Sequence, residues 1–558
     1  MRPARSVAAA LTGLAGLFLL LAIPEREPPV AVAPARGGAF TWNRDAYWRA
    51  LEARYAAARA GSAAPGDAGA VRALAAKLES VSRLALGPEA PVLDSIETTM
   101  FELGPDVALH PALLGDYVAL HGRWREVVKD ASRRWDVTGA AARSRLYRTL
   151  YGGRAAVEEA MLQHPGSVAP LFLGRDEPSA TPSATVRGVR VHSGDILVSR
   201  GGAPTSALIA RGNDYPGNFS HVALVYVDSA TGAAWTIEAH IEVGVVAAPA
   251  ERYLADKKLR IMVLRLRADL PALRADPLLP HRAASAAFER ARSGHVAYDF
   301  AMDYADPSKL FCSEVASTVY RERGVTLWTG LSTISAPGLR RWLASFGVRH
   351  FETQEPSDLE YDPQLVVVAE WRDPDWLRKD HVDNAVIDAM LEGADRGDDL
   401  AYPWYALPFA RLAKGYSWVL ERFGRAGPVP EGMSAGAALR NRAFSDRQRR
   451  LAAEVAAGAA RFTAERGYPP PYWGLVDLAR AAVQRKKVAA DYGLQRPQDR
   501  MGRREVPVLT AAISGTPASA PAATPTGSRT RPASAAPRTP PAAPPRRAPR
   551  TGGTSGSA

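Results

Sequence analysis

The sequence contains a single cysteine, Cys312, among its 558 residues. One thiol excludes an internal disulfide framework, so the folded parts must be held together by hydrophobic cores. The hydrophobic content of 47% is sufficient for such cores, and the length allows two to four domains. The cysteine itself therefore requires an explanation other than cross-linking.

Long hydrophobic runs are nearly absent as well. Val7 to Ile23 forms a run of 17 residues without a charge, and it follows the basic residues Arg2 and Arg5. This arrangement predicts a signal peptide or an uncleaved signal anchor, and it predicts that the bulk of the chain lies outside the cytoplasm. A buried core helix is the alternative interpretation of the same run.

Acidic residues are missing from the C-terminal tail. From Ala511 onward the chain carries six arginines and no acid, so half of the formal net charge of +12 lies in this tail. The Ala/Pro/Thr/Ser/Arg composition predicts disorder, because too few large apolar groups are present to offset the entropy of ordering. The rest of the chain is mildly basic and lacks zinc-finger spacing and a basic helix face, which argues against nucleic-acid binding.

The hydrophobic period changes twice along the chain. Helical spacing runs from Trp42 to about Gln163, short β-branched runs follow a polar boundary at Gly174 to Gly188, and helical spacing then returns. This order predicts an α+β domain between two helical regions. The predicted regions are a signal segment with linker (1–38), an N-terminal helical region (39–175), the α+β domain (185–374), a C-terminal helical region (376–504) and a disordered tail (505–558).

Cys312 lies in "KLFCSEVASTVY", at the start of a helix that is predicted to stop at Gly324. Unpaired backbone N–H groups and the dipole at a helix N-terminus favour a thiolate, and the same groups are donors to a tetrahedral oxyanion. Cys312 is therefore a candidate nucleophile. A small buried hydrophobic residue is the alternative.

Two predicted strands carry the polar residues that a thiol nucleophile needs. His221 opens "HVALVYV", where it would present its ring at the end of a sheet. Glu238, His240 and Glu242 alternate with apolar residues, so in a strand they share one face. If the two strands pair, Glu238 can accept a hydrogen bond from His221 and set its tautomer. A water-facing polar edge is the alternative.

The ordered set "SGDILVSR…FSHVALVYV…TIEAH…YDF…LFCSEVASTVY" resembles the permuted papain-like amidases of the YiiX/YaeF group, relatives of the NlpC-type cell-wall peptidases. The resemblance covers roughly Val186 to Trp371. It implies a circularly permuted papain-like domain in which an antiparallel sheet precedes a cysteine-bearing helix. Carried over to this sequence, it implies Cys312 as nucleophile, His221 as base and Glu238 as the orienting acid.

The resemblance also leaves rival assignments open. Tyr298 and Ser313 are candidates for the pocket or the oxyanion site, and packing is the alternative role of Tyr298. His240 is the rival for the third catalytic position. His192 and His295 are rivals as the base, although neither precedes an apolar strand.

These residues predict an exported hydrolase of amide bonds that works through a thioester. No H-E-x-x-H, Cys/His cluster or P-loop spacing occurs in the sequence, so no metal or other cofactor is expected. The expected partners are a peptidoglycan peptide or a related amide as substrate, and a membrane reached through the N-terminal segment. A periplasmic location, or an inner-membrane anchor facing the periplasm, follows. The alternatives are a lipid acyl hydrolase or acyltransferase of the same superfamily and an inert binding or scaffold module.

Overall fold

Helices before and after a central antiparallel sheet make up the computed structural model, which describes residues 2–25, 45–61, 68–256, 258–423 and 425–491. The helices are α1 (Arg2–Leu21), α2 (Ala46–Ala60), α3 (Ala68–Val81), α4 (Pro91–Val107), α5 (Leu114–Ser132), α6 (Ala140–Tyr147), α7 (Gly153–Gln163), α8 (Pro204–Arg211), α9 (Ala250–Ala255), α10 (Pro271–Ala275), α11 (Leu279–Ser293), α12 (Cys312–Arg321), α13 (Pro337–Phe346), α14 (Asp358–Tyr361), α15 (Pro374–Asp395), α16 (Leu407–Glu421), α17 (Ala435–Arg466) and α18 (Tyr472–Asp491).

The strands are β1 (Leu171–Leu173), β2 (Ser183–Val186), β3 (Val189–His192), β4 (Ile196–Gly201), β5 (His221–Val227), β6 (Ala234–His240), β7 (Gly244–Pro249), β8 (Lys258–Leu266), β9 (Ser332–Thr333), β10 (Glu352–Thr353) and β11 (Leu365–Trp371). Seven of them form one sheet in the order β1-β11-β8-β4-β5-β6-β7, and every neighbouring pair is antiparallel. The mixture of helices with an antiparallel sheet confirms the predicted α+β class.

Both faces of the sheet are covered, because successive residues of its strands point to opposite sides. On one face, residues such as Val222 and Leu224 of β5 pack with α11 and α12 in a common core. On the other face, Ala223 and Val225 pack against α9 and the β2–β3 hairpin. The cysteine-bearing helix is thus fixed against β5 and β6, which lie between the central strand β4 and the edge strand β7.

The helical flanks form two further cores. Helices α2 to α7 build the first, around residues such as Trp124 and Val157. Helices α15, α17 and α18 build the second, together with α8 and α13. Both flanks contain helices in the described residues, but β1 lies inside the N-terminal region that was predicted to be helical.

The sequence also predicted a membrane-directed segment at the N-terminus and a disordered tail at the C-terminus. Among the residues that the structure describes, no helix combines the length and hydropathy needed to cross a membrane. The predicted tail and most of the predicted linker lie outside the described residues.

Candidate active site

Cys312 is the first residue of α12, as predicted. Phe311 has an extended backbone and precedes the helix, and its N–H donates to the Glu314 carboxylate over 3.0 Å. This local cap fixes the start of the helix at Cys312, where the first backbone N–H groups have no intrahelical acceptor. The thiol side chain is only 4% exposed, and its sulfur lies 4.0 Å from the carbonyl oxygen of Ser220. The helix start therefore abuts the residue that precedes His221.

His221 is the first residue of β5 and joins the other two candidates. Its Nε2 lies 2.7 Å from Oε2 of Glu238, and the Cys312 side chain is close enough to its ring to raise the pKa of His221. Because Nε2 faces the carboxylate, Nδ1 is the nitrogen left for the thiol. The structure thus brings together three side chains that are separated by 17 and 74 residues in the sequence.

Glu238 lies in β6, which pairs with β5 as the sequence analysis required. Its second oxygen accepts a hydrogen bond from the Thr236 hydroxyl over 2.9 Å, so the carboxylate is held from two sides. The rival His240 lies at the end of the same strand, with its Nε2 3.5 Å from the Glu238 carboxylate. Glu238, rather than His240, therefore occupies the position that orients His221.

The prediction for Glu242 is wrong. Strand β6 ends at His240, and Glu242 lies in the turn before β7 rather than on the shared strand face. Gly244, which begins β7, has a left-handed φ of +71°, and a Cβ there would lie 2.1 Å from the Val296 carbonyl oxygen. The chain consequently turns where the alternating pattern alone would have continued the strand.

The protonation states of these groups depend on one another. Burial alone would lower the pKa of His221, but the hydrogen bonds and charges of Cys312 and Glu238 raise it to about 9. Burial would raise the pKa of Glu238, whereas the hydrogen bond and charge of His221 lower it to about 2. For His240, burial outweighs Glu238 and lowers the pKa to about 4. At neutral pH these pKa values place a proton on His221, beside the Glu238 carboxylate, and leave His240 neutral.

The two rival bases are engaged elsewhere. His192 is buried, and its Nδ1 lies 3.0 Å from the carbonyl oxygen of Thr181. His295 is exposed and pairs with Glu431. Of the three histidines that the sequence analysis considered as the base, His221 is the one that contacts both Cys312 and a carboxylate.

The two candidate pocket residues differ in their surroundings. Tyr298 forms an isolated bridge with Leu310, two residues before Cys312. Burial raises the pKa of Tyr298 well above its usual value, and the neighbouring Cys312 adds to the rise. Ser313 is completely buried, and its hydroxyl has no hydrogen-bond partner among the described residues. Tyr298 is therefore a neighbour of the thiol, and the Ser313 side chain is enclosed beside it.

A buried acid near the thiol was missed by the sequence analysis. Glu355 is 4% exposed, and burial raises its pKa well above the usual range, with further contributions from Asp358 and Cys312. The preceding residue, Gln354, bonds to Ser317 of α12, and Ser357 accepts a hydrogen bond from the Phe219 N–H over 3.1 Å. This segment joins the cysteine helix to the entry of β5. No local pattern in the sequence indicates it.

One set of side chains at this site could also hold a metal ion. Ligand atoms of His221, Glu238 and His240 all lie within 4.8 Å of one another. Two imidazoles and a carboxylate are a ligand set that Zn²⁺ accepts in proteins. A metal there would occupy Nε2 of His221, the atom that bonds Glu238, so metal binding and the orienting hydrogen bond exclude each other.

Comparison with known proteins bears on this region. Residues 190–369 match the family model described as permuted papain-like amidase enzyme, YaeF/YiiX, C92 family. This third of the chain is similar to the permuted papain-like amidases. The predicted resemblance is therefore confirmed, and the amidase-like region contains Cys312, His221 and Glu238.

One solved structure is also similar to part of this chain. It is the crystal structure of the metalloprotein yiiX from Escherichia coli O157:H7, with 18% sequence identity and a TM-score of 0.25. The match covers 32% of this chain and 95% of that chain. The comparison with curated proteins gave no match.

Proposed function

We propose that this protein is an exported cysteine amidase in which Cys312, His221 and Glu238 form the catalytic triad. The observation that carries the proposal is the position of the His221 ring, whose Nε2 lies 2.7 Å from the Glu238 carboxylate and which is close enough to the Cys312 side chain for the sulfur to raise its pKa. A nucleophile, a base and a group that orients the base are the minimum for cysteine hydrolysis. The match of residues 190–369 to an amidase family supports the same reaction class.

The proposed reaction begins from a thiolate and an imidazolium. The Cys312 sulfur attacks the carbonyl carbon of an amide, and backbone N–H groups at the start of α12 stabilise the oxyanion. The C–N bond then breaks as His221 donates its proton to the leaving nitrogen, which leaves a thioester on Cys312. Water attacks the thioester, His221 takes the proton from that water, and the carboxylic acid product departs from the thiolate.

Glu238 has a supporting part in this cycle. Its carboxylate holds the imidazole in one orientation and stabilises the positive charge that His221 carries before it donates its proton and after it takes a proton from water. The Thr236 hydroxyl fixes the carboxylate in turn. We propose that Glu238 remains ionised throughout, since its pKa is lowered to about 2.

The proposed substrate is an amide of exported material, such as a peptidoglycan stem peptide. Export is supported by the charge-free run that follows Arg2 and Arg5. A fusion of alkaline phosphatase after residue 45 tests export, because the reporter folds to an active enzyme only outside the cytoplasm. An inactive fusion that is present at normal level would contradict the proposed location.

The substrate and the triad are tested together with the full-length protein. We expect purified sacculi to release peptides with the wild-type chain and not with Cys312→Ala or His221→Ala. His110→Ala is the matched control, because His110 pairs with Asp106 in the N-terminal helices and should leave the release unchanged. Release of fatty acids alone from phospholipid vesicles would replace the cell-wall substrate by a lipid. A thiol that reacts equally with and without His221, and no product from either substrate, would favour a scaffold.

A further inference from the structure

Helix α16 exposes an apolar face to solvent. Four residues of α16 and one in the turn that follows it are between 44% and 76% exposed: Phe409, Leu412, Tyr416 and Val419 in the helix, and Phe423 after it. Their spacing of three and four residues places them on one side of a helix. The opposite side already packs inside the protein, through residues such as Leu407 and Ala410. A large apolar helix face that is exposed to water indicates that a binding partner or a membrane covers it.

Helix α1 extends this surface. The Phe18 ring lies 6.1 Å from the rings of both Trp404 and Phe409, and the Arg411 guanidinium donates to the carbonyl oxygens of Leu21 and Ile23 over 2.8 Å each. Leucines on the neighbouring part of α1 are equally exposed; they include Leu14, Leu17 and Leu20. The exposed faces of α1 and α16 therefore form one apolar surface, which we call the α1/α16 face.

The composition around this face matches a lipid bilayer surface. Residues 404–425 carry four basic side chains and a single acid, Glu421. Arg422 lies 3.9 Å above the Trp418 ring, which is itself exposed. Trp and Tyr at the level of the headgroups, with Arg and Lys beside them, are typical of helices that lie in the interface of an anionic membrane.

We propose that the α1/α16 face binds the surface of an anionic lipid bilayer, with α16 lying in the headgroup region beside α1. This goes beyond the proposed hydrolase and does not depend on it. Membrane contact through a second helix, some 390 residues after the N-terminal segment, fixes the orientation of the folded protein, whereas a single N-terminal anchor leaves it free to rotate.

A short series of contacts connects helix α16 to the candidate active site. Ser417, on the inner side of α16, accepts a hydrogen bond from the Val429 N–H over 2.9 Å. The segment that follows reaches residues 295–300, through the pair of Glu431 with His295 and the approach of Gly432 to Phe300. Tyr298, which neighbours Cys312, lies in that stretch. A bilayer bound at α16 is thus held at a fixed place relative to the chain that precedes the cysteine helix.

The test measures the environment of one side chain on α16. In the full-length chain, Cys312→Ser removes the native thiol, and Leu412→Cys then carries the environment-sensitive fluorophore NBD. Leu84→Cys, at an exposed leucine of the N-terminal helices, is the matched control. We expect the label at position 412 to shift to the blue and brighten with vesicles of phosphatidylcholine and phosphatidylglycerol, and to be quenched by nitroxide-labelled lipid. The label at position 84 should not change.

A second variant measures affinity without a label. We expect Phe409→Ser/Tyr416→Ser/Phe423→Ser to bind these vesicles about tenfold or more weakly, because three large apolar side chains are removed from the bilayer. Trp376→Ser, at an exposed tryptophan on α15, should bind normally. All variants should retain the melting temperature of the parent chain.

Three outcomes would overturn the proposal. The label at position 412 could report the same environment with and without vesicles. It could shift with rising protein concentration in the absence of lipid, which would make a second copy of the chain the occupant. Equal binding to vesicles of phosphatidylcholine alone would refute the preference for an anionic surface.

Discussion

Two buried polar clusters lie at the same end of the sheet, and they are built differently. The first is the candidate triad of Cys312, His221 and Glu238. The second is centred on Arg260 of β8, whose guanidinium bonds Glu158 of α7 over 2.6 and 2.9 Å and Asp380 of α15 over 2.6 and 3.0 Å. We call this second set the Arg260 cluster.

The two clusters differ in how their charges are matched and exposed. In the Arg260 cluster the side chains are at most 1% exposed, and burial of Arg260 is outweighed by its acids, which raise its pKa further. His221 retains 17% exposure, and its pKa of about 9 lies within reach of ordinary solution conditions. Buried charges that pair with one another, as in the Arg260 cluster, stabilise the fold. The partly exposed ring of His221 can gain and lose a proton, which is what catalysis requires.

The largest expected effect concerns a residue that is needed for catalysis and not for folding. Cys312→Ala should reduce amide hydrolysis by about 10³-fold or more, since the sequence contains no other thiol, and should leave the melting temperature nearly unchanged. Kinetics with the released peptide as readout and thermal unfolding of the same samples provide the check. Activity retained above a tenth of wild type would remove Cys312 from the mechanism.

The Arg260 cluster should show the reverse behaviour. Arg260→Met removes the buried cation that Glu158 and Asp380 share and leaves Asp380 with Arg200 and Glu158 with His381. The free energy of unfolding should therefore fall by about 3–5 kcal/mol, while each folded molecule keeps its activity. Denaturant unfolding measures this change. Arg480→Met is the control, because the Arg480–Glu392 pair is partly exposed and should contribute at most about 1 kcal/mol. An equally small effect of both variants would contradict the distinction.

The carboxylate of the triad should affect both rate and pH dependence. Activity of the wild type should fall as the pH rises through about 9, because His221 then loses the proton that it donates to the leaving nitrogen. Glu238→Gln removes a charge that raises the pKa of His221, so this alkaline limb should move to lower pH and the rate should fall about 10²-fold. The pH profile of kcat/KM measures both effects. A limb that stays in place would assign the raised pKa to other groups.

The smallest expected effect concerns metal ions. Zn²⁺ should inhibit hydrolysis by occupying His221, Glu238 and His240, and a chelator should restore activity. His240→Ala should weaken this inhibition by about tenfold while retaining most of the activity, because His240 orients no reacting group. Inhibition curves for the two chains provide the comparison. Identical curves would place the inhibitory ion elsewhere.

The parts of the fold that were predicted correctly have local causes. The β5–β6 hairpin follows from two short β-branched runs around a Gly-containing turn, and the start of α12 follows from the helical spacing after Cys312. The prediction that His221, Glu238 and Cys312 lie close together came from the order of the motifs along the chain. The sequence itself gives no distance between these residues. The family resemblance therefore predicted the proximity of these three residues, which hydrophobic periodicity alone does not predict.

The parts that were missed depend on partners far away in the sequence. Strand β1 has only three residues and exists because it pairs with β11, about two hundred residues later. Arg260 stands in a run that was correctly predicted as a strand, and a charge in such a run indicates a buried partner without naming it. Glu355 lies in a short connection whose position is determined by contacts with α12 and β5. Contacts between residues that are far apart in the sequence produce no periodic pattern along the chain, so the sequence does not predict them.

The short strand β1 has a practical consequence for anyone who trims the gene. It covers the outer edge of β11, so a fragment that begins at residue 185 would present the backbone N–H and C=O groups of β11 to other molecules. Bare strand edges of this type recruit one another into aggregates. Fragments intended for crystallisation or display should therefore begin before Leu171.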